Sequence, residues 1–165
     1  MNGISFVIPV FNSPTLSTNC VKSIINLNDL KNINHEIIIV DDFSHNTLFL
    51  NLEKNLQNLN LKNISIYKND QNMGPAYTRN KGVKHSKYDY IFFLDSDTEI
   101  IDGSINNFLE KIKTYDAVVG IYNYEPLSKG YMSYHKAYLN YYYSYKKDDY
   151  YFTNFAAACA GIKKN

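Results

Sequence analysis

Tyr90-Ile91-Phe92-Phe93-Leu94-Asp95-Ser96-Asp97 is the stretch on which the reading of this chain turns. Its first five residues form a short apolar and aromatic run, which favours a buried strand over a helix segment. The run then gives way to two aspartates separated by one residue. Side chains alternate along a strand, so Asp95 and Asp97 leave it on the same side as it runs out into a loop. Two convergent carboxylates suit a hard divalent cation, Mg²⁺ or Mn²⁺, that keeps open positions for phosphate oxygens. A cation held this way neutralises a diphosphate leaving group. Alone, the pattern is moderately specific, because several unrelated phosphate-handling enzymes carry D-x-D after an apolar strand.

Similar short runs occur on both sides of it, at Ile4 to Val10, Glu36 to Val40, Ile64 to Tyr67 and Ala117 to Ile121. Between them lie stretches with helical spacing: Leu16, Cys20, Ile24 and Leu27, then Leu48, Leu52, Leu56 and Leu59, and later Ile105, Leu109 and Ile112. Strands alternating with helices of this length predict an α/β fold, a mostly parallel central sheet built from right-handed β-α-β units and flanked by helices. Ligands of such sheets sit at the carboxyl ends of the strands. The first run ends in Pro9-Val10-Phe11-Asn12, the second in Asp41-Asp42-Phe43-Ser44 and the fourth in Asp95-Ser96-Asp97. Any one aspartate here could be a turn or cap residue. Their meeting on one rim is harder to explain by structure alone.

The chain has 165 residues, 45% hydrophobic and 20% charged, with a formal net charge of +1. That length implies one domain and buries about two-thirds of the unfolded surface, enough for a core without staples. Near-neutral charge argues against a nucleic-acid partner, or an anionic membrane held mainly by electrostatics. Cys20 and Cys159 are far apart and show no C-x-x-C spacing, so neither a disulfide framework nor a zinc site is expected. No apolar run reaches the ~18 residues that cross a bilayer, and Ile4 to Val10 is too short for a signal peptide. A cytoplasmic protein is the expectation, with its action at the inner membrane face left open. Composition is skewed, with 22 Asn, 16 Tyr, no Trp and a single arginine among 17 basic residues. A coding bias accounts for most of this, and it makes the position of Arg79 informative.

Arg79 falls in Asn72-Met73-Gly74-Pro75-Ala76-Tyr77-Thr78-Arg79-Asn80-Lys81-Gly82. Gly74-Pro75 breaks the chain and offers a helix start, with proline suited to the first helical position. About one turn in, Arg79 projects near that N-terminus. Its planar fork suits phosphate in a way lysine cannot reproduce. The plainer reading is a surface ion pair.

Four ordered motifs over about the first 100 residues now resemble family 2 glycosyltransferases of the GT-A fold. They are Phe6-Val7-Ile8-Pro9-Val10-Phe11-Asn12, Ile39-Val40-Asp41-Asp42-Phe43-Ser44, Asn72 and Gly74 leading to Ala76, Arg79-Asn80 and Gly82, and Asp95-Ser96-Asp97. The resemblance implies inverting transfer of a sugar from a nucleotide diphosphate sugar, with Mn²⁺ or Mg²⁺. It implies that Pro9, Val10, Phe11 and Asn12 line the nucleotide. Asp41 and Asp42, with Ser44 beside them, match the pair of which one contacts the base, most often uracil. Asn72, Gly74 and Arg79 fall near the nucleotide and phosphates. Asp95 faces the ribose or sugar, Ser96 is nucleotide-binding, and Asp97, with Asp95, is the metal-binding carboxylate. The expected partners are a UDP-sugar donor and a saccharide or lipid-linked acceptor of cell-surface polysaccharide or glycolipid synthesis, with peripheral membrane association.

Two departures stand out. The family has Gly where Phe43 stands, in a D-D-G-S pattern. In the family the carboxylate that takes the acceptor's proton lies beyond a small-residue motif that Ala158 to Lys164 resembles, and here Asn165 ends the sequence. Glu125, Asp148 and Asp149 lie outside that context. The expectation is a donor-binding core over 1–125 and a Tyr-rich, incomplete start of an acceptor-side region over 126–165. Tyr131, Tyr134, Tyr138, Tyr141, Tyr142, Tyr143, Tyr145, Tyr150 and Tyr151 crowd that region, with a helix expected from about Met132 to Tyr145. Their face could stack on a sugar or meet a membrane interface, while the plainer reading packs it on the sheet edge. Two alternatives remain: a non-catalytic nucleotide-sugar-binding module, and a haloacid dehalogenase-like phosphatase, whose motif prefers Thr or Val where Glu99 stands and opens its domain.

Overall fold

The computed structural model describes residues 3–126, 129–145 and 157–164. The apolar runs form β1 (Ile4–Val10), β2 (His35–Asp41), β3 (Ile64–Lys68), β4 (Tyr90–Leu94) and β5 (Ala117–Val119). The amphipathic stretches form α1 (Pro14–Ile25), α2 (Asn46–Gln57), α3 (Pro75–His85), α4 (Ser104–Lys111) and α5 (Tyr131–Tyr145). Pro14 and Pro75 open α1 and α3, where a missing N–H costs nothing because no intrahelical partner exists there. A last strand, β6 (Cys159–Lys163), completes a sheet of order β3-β2-β1-β4-β6-β5.

The first four strands are mutually parallel, and β6 is antiparallel to both β4 and β5. Cys159 to Lys163, grouped by sequence with the Tyr-rich segment, therefore lies inside the sheet. Its residues have weak strand propensity, and pairing on both sides supplies the ladder that propensity does not.

Both faces of the sheet are covered. Phe6, Ile8 and Val10 alternate onto one face with Ile37, Ile39, Phe92 and Leu94, against Val21 and Ile24 of α1, Leu52 and Leu56 of α2, and Phe108 of α4. Val7, Ile91 and Phe93 point the other way, toward Val83 of α3. Each such fully buried side chain contributes about 1.5–3 kcal/mol, so the packing of α3 on β1 is well anchored. Gly82 makes that packing close. A Cβ there would sit inside the van der Waals shell of Val7 Cγ1, which explains a glycine on an otherwise ordinary helix.

The strand order reverses beside β1, which has β2 on one side and β4 on the other. The β1–β2 ladder runs to Val10–Asp41, whereas the β1–β4 ladder stops at Val7–Phe93. Pro9, with no N–H to donate, lies where β4 has ceased to pair. The strands part there, and the opening falls at the topological switch point, where open α/β sheets bind ligands.

Candidate active site

A cleft of about 490 Å³ occupies that opening. Pro9, Val10 and Phe11 from the end of β1, Asp42 after β2, Asn72 and Gly74 after β3, Arg79 on α3, and Asp95, Ser96 and Asp97 after β4 all line it. The strand ends thus bring most of the residues singled out in sequence to one place. Ser13, Leu16 and Pro75 line it as well, although none of them was among the expected nucleotide-binding residues. Asn12, Asp41 and Ser44 lie outside the lining.

Those three brace the rim. Asp41 is buried; its carboxylate accepts from the backbone N–H of Ser44 at 2.9 Å and from the Ser44 hydroxyl. Ser44 Oγ in turn accepts the Asn12 N–H at 2.7 Å, and Asn12 Oδ1 accepts the His45 N–H at 2.9 Å. The loops after β1 and β2 are laced together this way. Phe43 sits in the middle of the lacing at φ +66°, a left-handed conformation that favours glycine. The turn of the D-D-G-S pattern is therefore retained, with the phenylalanine side chain turned out to solvent.

Asp42 has the opposite orientation and a different job. It is 5% exposed, and it accepts from Asn69 Nδ2 at 2.7 Å and from the N–H groups of Met73 and Gly74, both at 2.8 Å. Burial alone would push its carboxyl up. The Met73 N–H, the Asn69 amide, the Gly74 N–H and the Thr78 hydroxyl outweigh that and hold it below the usual carboxylate range. Asp42 thereby fixes the loop that starts α3, and Gly74 caps it at φ +82°. Asn69, also hydrogen-bonded to Thr78 at 3.1 Å, had no sequence signal beyond its place after β3.

Arg79 projects from the second turn of α3 and pairs through Nη2 with Oδ1 of Asp95. The pair is partly enclosed rather than superficial, with 17% of the arginine and 34% of the aspartate side chain exposed. Among the described residues, Arg79 Nε is the buried side-chain nitrogen or oxygen without a hydrogen-bond partner. The N-termini of α1 and α3 face the same opening, adding partial positive charge to a cleft whose carboxylates are Asp42, Asp95 and Asp97. Ser96 Oγ lies 3.1 Å from Ser13 Oγ, tying the acidic loop to the start of α1.

Beneath the acidic loop lie both thiols, each free. Burial, followed by the charges of Glu99, Asp97 and Asp95, pushes Cys20 up to about 12, and burial with Asp95 pushes Cys159 up to about 11. Both thiols are therefore held in the protonated form by their surroundings. Tyr122, just past β5, is raised by burial first and then by Asp95, Cys159 and Asp97.

Among the described residues no three His, Cys, Asp or Glu side chains gather into a cation cage. Asp95 and Asp97 nevertheless supply hard oxygen donors on one loop, and Asp97 is exposed to the cleft. This donor set fits a Mg²⁺- or Mn²⁺-type ion that completes its shell with ligand phosphates and water, not one held by protein alone.

The sheet order, with a cleft at its switch point, is the architecture of the GT-A fold. Residues 5–165 match the profile of Glycosyl transferase family 2, and the chain belongs to that family. It is 31% identical over 128 residues to the poly(ribitol-phosphate) beta-N-acetylglucosaminyltransferase TarP of Staphylococcus aureus, covering 76% of this chain and 38% of TarP. It is 30% identical over 114 residues to the GalNAc(5)-diNAcBac-PP-undecaprenol beta-1,3-glucosyltransferase of Campylobacter jejuni, covering 67% of this chain and 35% of that enzyme. Among solved structures, residues 1–349 of S. aureus TarS with UDP superpose at a TM-score of 0.61 and 24% identity, over 78% of this chain and 37% of that one. The mannosyltransferase PcManGT from Pyrobaculum calidifontis, with GDP-Man and Mn²⁺, superposes at 0.66 and 13% identity, over 98% and 44%. The chain thus spans less than half the length of these relatives. Family membership replaces the phosphatase alternative, and here D-x-D follows the fourth strand instead of the first.

Among the described residues no helix is long and apolar enough to cross a membrane. Asp148, Asp149, Tyr150 and Tyr151 lie outside the described residues, and Glu125 is exposed.

Proposed function

We propose that the cleft binds a nucleotide diphosphate sugar, a UDP-sugar by preference, together with Mn²⁺ or Mg²⁺, as the donor site of an inverting glycosyltransferase. The observation that carries this reading is the convergence of Arg79, Asp95, Ser96 and Asp97 at the switch point, between the N-termini of two helices. An arginine fork, two positive helix ends and hard carboxylate donors are the groups a diphosphate with a divalent ion needs. Phe11 and Leu16, half-exposed on the cleft wall, offer apolar surface to a base, and Asp42 lines the same cleft.

When bound, the ion would be held by Asp97 and Asp95 and would offset charge on the departing diphosphate. Arg79 holds Asp95 in position and directs its fork into the cleft. Asp42 keeps the Met73-Gly74 turn, and with it the start of α3, at the height of the phosphates. The exposed Tyr131, Tyr134 and Tyr138 of α5 favour an acceptor side along that helix, beside a donor core that includes β6. The relatives named for poly(ribitol-phosphate) and an undecaprenol-linked glycan favour a cell-surface glycopolymer or lipid-linked acceptor.

Calorimetric titration of UDP and GDP, each with and without Mn²⁺, tests the reading. Binding of one nucleoside diphosphate that strengthens with the ion is the expected result. Asp97→Ala should abolish that strengthening while leaving thermal stability unchanged. Metal-dependent affinity that survives Asp97→Ala would remove Asp97 from the metal site, and no binding of any nucleoside diphosphate would end the donor-site reading.

A further inference from the structure

The order of loops along the rim gives the bound donor a direction. Phe11, Asp42 and Asn72 surround the β1–β2 side of the cleft, and Asp95 to Asp97 stand at β4. A donor with its base on the first side and its diphosphate on the second places its sugar over the next strands, β6 and β5.

What stands there is fixed by strand register. Phe93, Ala160 and Val119 form one row across β4, β6 and β5. In the next row Leu94 pairs with Cys159, whose carbonyl accepts the Gly120 N–H at 2.8 Å. Asp95 continues the pattern, donating its N–H to Ala158 O at 2.9 Å. Tyr122 is two residues beyond Gly120, abreast of the acidic loop, and β4 and β5 run in the same direction because both oppose β6. Its side chain is 45% exposed and lies within the field of Asp95 and Asp97, beyond the last residues lining the present cleft. A phenol so placed combines a flat apolar face with a donor hydroxyl, the two features that recognise a hexose ring and its hydroxyls.

We propose that Tyr122 is a sugar-reading residue, donating a hydrogen bond from its phenol to a hydroxyl of the donor's hexose. The inference rests on the donor-site reading above. It predicts that Tyr122 contributes to the difference in affinity between a nucleotide sugar and the bare nucleotide, and not to the nucleotide itself.

The test measures, with Mn²⁺ present, the best-binding nucleoside diphosphate among UDP, GDP and ADP, and a panel of its hexose esters. Wild-type protein should bind one ester better than the bare diphosphate. Tyr122→Phe should cut that advantage about 5- to 10-fold, the range of one neutral hydrogen bond, and leave affinity for the diphosphate within twofold. Tyr122→Ala, which also removes the ring, should cut it further, and an unchanged melting temperature for Tyr122→Phe separates this from a folding defect. An advantage that survives both substitutions overturns the inference while the donor site stands. So do equal losses for diphosphate and ester, or a wild type that prefers no ester. A wild type that binds no diphosphate at all overturns the donor site and Tyr122 together.

Discussion

Replacing Asp42 with alanine removes one buried carboxylate and strands three donors: Asn69 Nδ2 at 2.7 Å and the N–H groups of Met73 and Gly74 at 2.8 Å. Hydrogen bonds to a charged acceptor are each worth about 1.5–3 kcal/mol, so the gross loss is roughly 5–9 kcal/mol. Two effects reduce it. The carboxylate's own burial, a cost of several kcal/mol, disappears with the side chain. Asp42 also lines the cleft, so water can reach part of the space it leaves. A net destabilisation of about 2–4 kcal/mol is expected, or roughly 5–15 °C in melting temperature for a chain of this length. Chemical denaturation of wild type and Asp42→Ala measures it.

The pH dependence supplies a second, independent sign. Because the folded carboxyl lies below its ordinary range, its stabilisation is present above the unfolded value of about 3.9 and is lost as pH falls through the lower folded value. The gap between wild type and Asp42→Ala should therefore be flat from about pH 5 to 8 and narrow below about pH 4. A gap under about 0.5 kcal/mol at neutral pH, or one that does not narrow in acid, would refute the view that Asp42 anchors the start of α3 as an ionised acceptor.

Other substitutions probe separate parts of the site. Gly82→Ala forces a methyl group into Val7 and should cost about 1–3 kcal/mol in a denaturation experiment, since α3 must lift from β1; an unchanged midpoint would mean that the helix yields freely. Phe43→Gly relieves a left-handed conformation worth about 1–2 kcal/mol and adds about 0.5–1 kcal/mol of chain entropy cost, so stability should stay level or rise by up to about 1 kcal/mol. A clear loss would show that the exposed ring, 5.9 Å from Lys68 Nζ, contributes more than its turn costs. Arg79→Lys keeps the charge but loses the fork that pairs with Asp95 and is proposed to reach the phosphates; about a tenfold loss of nucleoside diphosphate affinity is expected by calorimetry, and full affinity would contradict a bidentate role.

Periodicity was enough to place the first five strands and all the helices but α3, which the Gly74-Pro75 break marks. Runs such as Ile4 to Val10 and Tyr90 to Leu94 are apolar on both faces, which only a sheet covered on both sides requires. The strand without a periodic signal, β6 (Cys159–Lys163), begins with Cys159, Ala160 and Gly161, whose small side chains carry no pattern. It became a strand because β4 and β5 each lacked a neighbour, and because Gly161 leaves room for Phe108. Asp41 and Asp42 could not be told apart in sequence for a related reason. Adjacent residues at a strand end point to opposite sides, and only packing decides that Asp41 turns in to hold Ser44 while Asp42 turns to the cleft and the start of α3.

The lone arginine shows the same division. Its residue type and its place one turn into a helix announced a need for a rigid cationic fork, since nothing else distinguishes arginine from the lysines used throughout this chain. The packing of α3 over β1 and β2 decided that the fork meets Asp95 across the switch point, leaving Asp97 exposed to the cleft. The amino-acid sequence by itself determined the α/β architecture, the family and the chemical types gathered at the strand ends, because these follow from local periodicity and ordered motifs. Tertiary structure alone decided which carboxylates brace the rim, which face the cleft and that Tyr122 stands beside them, because those relations depend on strand order and register between residues far apart in the chain.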